Sequence, residues 1–115
     1  MMKQMLRSKI HKAIVTEADL SYVGSITIDE QLMELAGLLE YEKVLVVDNT
    51  NGSRLETYVI SGTRGSGQIC MNGAAAHLIK KRDEIIIMSF ELMDFVKKPT
   101  CILVDCNNSF VRYLS

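Results

Sequence analysis

The stretch Tyr22-Val23-Gly24-Ser25-Ile26-Thr27-Ile28-Asp29 decides how this chain is read. Ile26 and Ile28 alternate with polar neighbours as in a short half-buried strand. Asp29 is a good N-cap for a helix over Glu30–Ala36, which Gly37 stops. The same grammar returns in Gln68-Ile69-Cys70-Met71-Asn72: a strand, an Asx residue in the cap position, and a short helix from Gly73. An apolar strand follows each copy, near Val44–Val47 in the first and Ile85–Met88 in the second. Two strand-helix-strand units imply a pseudo-twofold β core.

Outward from these units, Met5–Thr16 alternates, with Leu6, Ile10 and Ile14 on one side and Arg7, Lys9 and His11 on the other. This is a strand with a cationic face, and for Arg7 and Lys12 the expectation is simple solvation. Thr16-Glu17-Ala18-Asp19-Leu20 carries a Ser/Thr-x-x-Asp cap pattern and predicts a single helical turn. Lys43–Asp48 reads as a strand, and Asn51-Gly52 is the strongest hairpin signal in the chain, with a return strand over Ser53–Ser61. Gly62–Gly67 is glycine-rich but lacks the Lys-Ser/Thr ending of a phosphate loop, so it is read as a turn between strands. Glu84–Phe90 is another buried strand, and Thr100–Asp105 and Phe110–Leu114 are set to pair across Asn107-Asn108.

The 115 residues suit one domain spanning 1–115. With 48% hydrophobic and 23% charged residues the chain has the balance of a soluble globular protein, and its formal charge of −1 offers no field for nucleic acid or an acidic membrane. No apolar run approaches the length of a membrane span, and the Met1-Met2-Lys3-Gln4 start lacks a signal peptide's apolar region, so a cytoplasmic location is expected. Cys70, Cys101 and Cys106 form no C-x-x-C pair and are read as reduced, mostly buried thiols rather than a metal site.

Gly24-Ser25 interrupts a strand-like region, and its chemistry suits one uncommon reaction. A glycine carbonyl is unhindered by a Cβ, and its backbone reaches angles closed to other residues. The Ser25 hydroxyl can attack that carbonyl and convert the amide to an ester. β-Elimination then cuts the chain, and the dehydroalanine left at position 25 hydrolyses to a pyruvoyl group with loss of ammonia.

Lys9-Ile10-His11, Tyr22-Val23-Gly24-Ser25, Asn51-Gly52-Ser53-Arg54, Thr57-Tyr58 and Asn72-Gly73-Ala74-Ala75-Ala76-His77, in this order and spacing, resemble the bacterial aspartate 1-decarboxylase family, over residues 3 to about 90. The resemblance implies a mainly β fold with short helices, the double-psi β-barrel. It implies pyruvoyl-dependent decarboxylation of L-aspartate to β-alanine and CO2 for pantothenate, after self-cleavage into fragments 1–24 and 25–115. The cofactor would be a covalent pyruvoyl group derived from Ser25, which accepts the substrate amine as a Schiff base, with no metal and no pyridoxal phosphate. The resemblance further implies a homo-oligomer, expected to be a tetramer, with sites shared between subunits, and leaves room for a helper protein in maturation.

Carried over by position, Ser25 and Tyr58 are the expected catalytic residues, Tyr58 as proton donor. Gly24, Ser25 and Thr57 are assigned to cleavage, and Lys9, His11, Arg54, Thr57, Asn72, Gly73, Ala74 and Ala75 to substrate binding. Arg54 suits a carboxylate because its planar fork binds such groups in bidentate fashion. Strict alternation puts Arg54 and Tyr58 on one strand face and Thr57 on the other, so a role for Thr57 beside Gly24 calls for a bulge, a twist or a subunit contact. Val47 and Glu56 depart from the family pattern, and Glu56 is placed to compete for Arg54. The residues alone leave two other readings. One is a catalytically silent β-barrel for binding or assembly. The other is a hydrolase using Ser25 or Cys70 with His11 or His77, which no G-x-S-x-G elbow supports.

Overall fold

The computed structural model describes residues 1–114; Ser115, the last residue of the expected domain and of the expected 25–115 fragment, lies outside the described residues. The first strand, β1, runs over Lys3–Ile14 and bends at two register shifts, between Leu6 and Ser8 and between Ile10 and Ala13. Lys12, at the second, has φ +67°, the left-handed conformation a β-bulge needs. These bulges break the simple alternation read from sequence. Ser8, Ile10 and Ala13 are buried, whereas Leu6 and Ile14 are only half-buried.

After the second bend the chain continues as β2, Glu17–Asp19, where a helical turn was expected. The Thr16 hydroxyl that would have capped that turn is taken by a distant strand: it donates to the Ile69 carbonyl at 3.0 Å and accepts from the Ile69 N–H at 3.0 Å. The Thr16 N–H also bonds to Ile69 at 2.8 Å. A one-turn helix costs its nucleation without a compensating ladder, so the ladder wins.

The remaining elements are β3 (Ser25–Asp29), α1 (Glu30–Ala36), β4 (Lys43–Asp48), β5 (Arg54–Gly62), β6 (Ile69–Asn72), a 3-10 turn over Gly73–His77, β7 (Glu84–Met93), β8 (Thr100–Val104) and β9 (Phe110–Leu114). Their order in the sheet is β2-β6-β3-β5-β4-β7-β1-β8-β9. Because β2 is the continuation of β1 past its bulges, the ribbon β1/β2 pairs with β7 through its first half and with β6 through its second. That closes a ring of strands in the order β1/β2, β6, β3, β5, β4, β7. Together with its parallel pairs, β2 with β6 and β3 with β5, this mainly β ring is the double-psi β-barrel.

The two repeats read from sequence face each other across the barrel's pseudo-twofold axis. β3 and β6 pair antiparallel with Ser25 opposite Asn72 and Ile28 opposite Ile69. Their following strands, β4 and β7, also pair antiparallel, Leu45 opposite Met88 and Val46 opposite Ile87. Ile10, Ile26, Ile28, Val46, Val59, Ile69, Met71, Ile85 and Ile87 fill the interior at 0% exposure. Each such side chain contributes about 1.5–3 kcal/mol by leaving water.

Local chemistry holds the joints. The Asp29 carboxylate caps α1 through the Gln31 N–H at 2.8 Å and also accepts the Gly65 and Gly67 N–H groups, tying the glycine-rich turn to the helix start. Gly37 ends the helix at φ +79°. Arg7 is not a solvated charge: it donates to the Gly37 carbonyl at 2.6 Å and to Glu42 and Ser89. Of the thiols only Cys70 is buried; Cys101 is half-buried and Cys106 exposed, against the expectation of mostly buried cysteines.

Candidate functional site

The chain enters β3 through the exposed residues Tyr22, Val23 and Gly24, and at Ser25 exposure falls to 1%. Gly24 lies outside the left-handed backbone region, and a methyl group at its Cα position would meet nothing within 4 Å. Neither packing nor strain therefore calls for glycine there, and the unhindered carbonyl read from sequence is the feature that remains. Gly73 differs. Its φ is +67°, and a Cβ there would lie 2.8 Å from Gly24 Cα, 2.9 Å from Gly24 N and 2.9 Å from the Tyr22 carbonyl oxygen. The first residue of the 3-10 turn is thus the floor on which the segment before Ser25 rests.

Asn72 does not cap that turn, although its backbone is extended as a cap's would be. Its side chain turns inward. The Asn72 Nδ2 group donates to Ser25 Oγ at 2.9 Å and to Thr27 Oγ1 at 3.0 Å, while its Oδ1 accepts from the Cys70 thiol at 3.1 Å. The register explains the choice: Ser25 is directly opposite Asn72 on the paired strands, and the carboxamide is 3% exposed, where unpaired polar groups are costly.

Beside Gly24 opens a cleft of about 240 Å³ lined by Gly24, Leu55, Glu56, Thr57, Asn72, Ala74, Ala75 and Leu78. Thr57 reaches it by plain alternation. Leu55, Thr57 and Val59 of β5 face inward, so Thr57 needs no bulge to lie near Gly24, contrary to the tension read from sequence. It is Arg54 and Tyr58 that point away.

Where they point follows from the ladder, since residues directly paired across strands share a face. Tyr58 pairs with Lys43, Glu56 with Leu45 and Arg54 with Val47; Leu45 and Val47 pair in turn with Met88 and Ile86 of β7; Met88 pairs with Lys9 of β1. Lys9, His11, Arg54 and Tyr58 therefore lie on one outer face of the barrel, and none of the four lines the Gly24 cleft, whose rim this face meets at Glu56. From β1 to β5 is three strand spacings, roughly 14 Å. Glu56 is on this face too, but its carboxylate pairs with Lys43 at 3.1 Å rather than with Arg54, which has no ion-pair partner among the described residues.

His11 is half-buried, and its Nδ1 is buried without a hydrogen-bond partner among the described residues. Burial first, and then the charges of Lys9 and Lys12, hold the imidazole below its ordinary pKa, with Glu84 opposing. His11 is thus biased to the neutral form at pH 7. Among the described residues no group of three His, Cys, Asp or Glu side chains is placed to hold a metal ion, and no helix is long and apolar enough to cross a membrane.

Sequence reasoning missed two participants. Thr27 carries no motif, but its spacing of two from Ser25 on one strand was a usable signal. The thiol of Cys70, one strand over, gave none beyond its place in the internal repeat.

Fold and site together define a small double-psi β-barrel with a buried serine, next to a glycine, at the joint of its two repeats. The family model of aspartate decarboxylase matches residues 1–111. An aspartate 1-decarboxylase of Caldicellulosiruptor saccharolyticus is 56% identical over 116 residues, covering 97% of this chain and 91% of that protein. Those of Pelotomaculum thermopropionicum and Bacteroides fragilis are each 55% identical, covering 94% and 97% of this chain and 85% and 100% of the relatives. The chain belongs to the aspartate decarboxylase family.

Proposed function

We propose that this protein decarboxylates L-aspartate to β-alanine and CO2, using a pyruvoyl group that it makes from Ser25 by cutting its own chain after Gly24. The observation that carries the reading is the hydrogen bond from Asn72 to the buried Ser25 Oγ, beside the Gly24–Thr57 cleft. Membership of the aspartate decarboxylase family favours this reading over a silent binding barrel.

Maturation balances on the chain's own atoms. Ser25 Oγ bonds to the Gly24 carbonyl carbon as the Gly24–Ser25 C–N bond breaks, giving an ester and a free amine. Elimination across Cα–Cβ of residue 25 releases the Gly24 carboxylate, and water then replaces the nitrogen, which leaves as ammonia. The Asn72 N–H favours the step by bonding to Ser25 Oγ as it loses its proton. Thr57, which lines the same cleft as Gly24, is assigned to the Gly24 carbonyl oxygen, and Gly73 holds the segment in place.

The surroundings fit a pyruvoyl group at position 25: the residue is buried, faces an N–H donor, and adjoins a cleft large enough for a four-carbon amino acid. When formed, the group supplies an electron sink for the bond broken as CO2 leaves. The protein's part is to bind and protonate. Arg54, without an ion-pair partner among the described residues and bidentate by nature, suits the retained side-chain carboxylate, with Lys9 as a second cation and His11, biased to the neutral form, beside it as a hydrogen-bonding group. Asn72, Ala74 and Ala75 form one wall of the cleft, with Gly73 beneath the Gly24 segment beside it, and poor solvation of the departing carboxylate against this wall would favour its loss. The Tyr58 phenol is the proton donor to the carbon left behind.

None of Arg54, Lys9 and Tyr58 lines the Gly24 cleft of the same chain. The reading therefore includes a homo-oligomer, a tetramer by preference, in which the outer face of one subunit covers the cleft of the next. The test separates the two reactions. Ser25→Ala is expected to stay whole and inactive, and Tyr58→Phe to cleave but form no β-alanine. Full β-alanine production by Tyr58→Phe would overturn the proton-donor role, and production by uncut Ser25→Ala would overturn the pyruvoyl mechanism.

A further inference from the structure

The Asn72 carboxamide can sit in its pocket in two ways related by a flip, and they differ in what they do to Ser25. In the orientation seen, Nδ2 gives one hydrogen to Ser25 Oγ and the other to Thr27 Oγ1, and both hydroxyl oxygens act as acceptors. The Ser25 proton then points elsewhere and can leave as Oγ attacks. In the flipped orientation Oδ1 would face the two hydroxyls and hold the Ser25 proton on an amide oxygen, which is too weak a base to take it. Only the first orientation prepares the nucleophile.

Ser25 and Thr27 cannot make this choice, because a hydroxyl is content as donor or acceptor. The remaining neighbour can. Cys70 Sγ lies 3.1 Å from Oδ1, in a residue 6% exposed, and a thiol is a weak acceptor that gains little from facing an amide N–H. We propose that Cys70 is a positioning residue for chain cleavage: its thiol donates to Asn72 Oδ1 and so fixes the carboxamide with its N–H groups toward Ser25. The role rests on the self-cleavage reading above.

The donor role requires a protonated thiol, and the surroundings keep it so. Cys70 lines a second cleft, on the other side of Asn72 from Gly24, with Glu17, Asp19 and Tyr22. Burial first, then the Glu17 and Asp19 carboxylates on the adjacent strand β2, push the Cys70 thiol above its ordinary pKa. An ionised sulfur would instead accept, and would turn the amide the wrong way.

The experiment follows cleavage in time after cell-free translation of the full chain, resolving precursor from products on gels. Cys70→Ser keeps a donor; Cys70→Ala removes it; Cys70→Val removes it while filling the space. Losing one orienting hydrogen bond is expected to slow cleavage about fivefold in both Cys70→Ala and Cys70→Val, with Cys70→Ser within about twofold of wild type. Wild-type rates in Cys70→Ala and Cys70→Val would overturn the proposal while leaving self-cleavage standing. Slow cleavage by Cys70→Ala with wild-type cleavage by Cys70→Val would reduce the thiol to packing. Cys70→Ser as slow as Cys70→Ala would likewise overturn the donor role. A wild-type chain that never cleaves would remove the self-cleavage reading itself, and this role with it.

Discussion

Replacing Gly73 with alanine puts a methyl group against the segment that precedes Ser25, and the structure sets the size of the effect. Two costs add. A non-glycine residue held at φ +67° costs roughly 1–2 kcal/mol. The new Cβ would also stand 2.8–2.9 Å from Gly24 and the Tyr22 carbonyl, all backbone atoms, and overpacking of this kind costs typically about 1–3 kcal/mol. If the frame held still, Gly73→Ala would lose about 2–5 kcal/mol. Tyr22, Val23 and Gly24 are exposed, however, and can move outward more cheaply than β6 can. The expected result is therefore split: a stability loss near the backbone-strain term alone, and a much larger loss of cleavage, because Gly24 has left Ser25. Gly52 is the control, with φ +79° and open space for a methyl group, so Gly52→Ala carries the strain without the clash. Urea unfolding of both variants in a Ser25→Ala background measures stability, and timed cleavage with Ser25 intact measures the rest. Equal cleavage rates for the two variants would refute the claim that Gly73 positions the scissile segment.

Two further perturbations probe charge and assembly. Asp48 is 1% exposed, with Oδ2 unpartnered among the described residues, and its carboxyl is pushed above the ordinary range by burial first and then by Asp83. With the folded pKa raised, the native state binds the extra proton, so the stability due to this group is present at acid pH and lost as pH rises through the raised value. Asp48→Asn should be more stable than wild type at pH 7, with the gain shrinking toward pH 4 in urea titrations; a gain unchanged with pH would contradict the buried-charge account. For the shared site, mixing Ser25→Ala with mature Tyr58→Phe under verified subunit exchange should restore about a quarter of wild-type activity, because in random pairing one site in four joins an intact cleft to an intact outer face. No recovery would place cleft and face in one chain.

What was legible in the sequence is what short-range chemistry decides. Asn51-Gly52 made its hairpin, Asp29 its cap, Gly37 its stop, and the Ser25–Asp29 echo in Gln68–Asn72 became two paired strands. The face shared by Arg54 and Tyr58 was legible too. What escaped depends on partners far along the chain. Thr16 reads as a cap until Ile69, 53 residues on, takes its hydroxyl. Asn72 reads as a cap until the register sets it opposite Ser25, 47 residues away. Arg7 reads as solvated until a bulge turns it toward Glu42 and Gly37. In each case a locally favoured arrangement yielded to a tertiary hydrogen bond, buried at Asn72, part-buried at Thr16 and near the surface at Arg7.

The central claim is that the chain cuts itself after Gly24 and keeps a ketone at position 25. Intact-mass spectrometry of the purified protein tests it most directly. The account predicts two species, residues 1–24 and 25–115, the larger lighter by one ammonia than a simply hydrolysed fragment and blocked to Edman sequencing. A single uncut chain that nonetheless converts L-aspartate to β-alanine would contradict it.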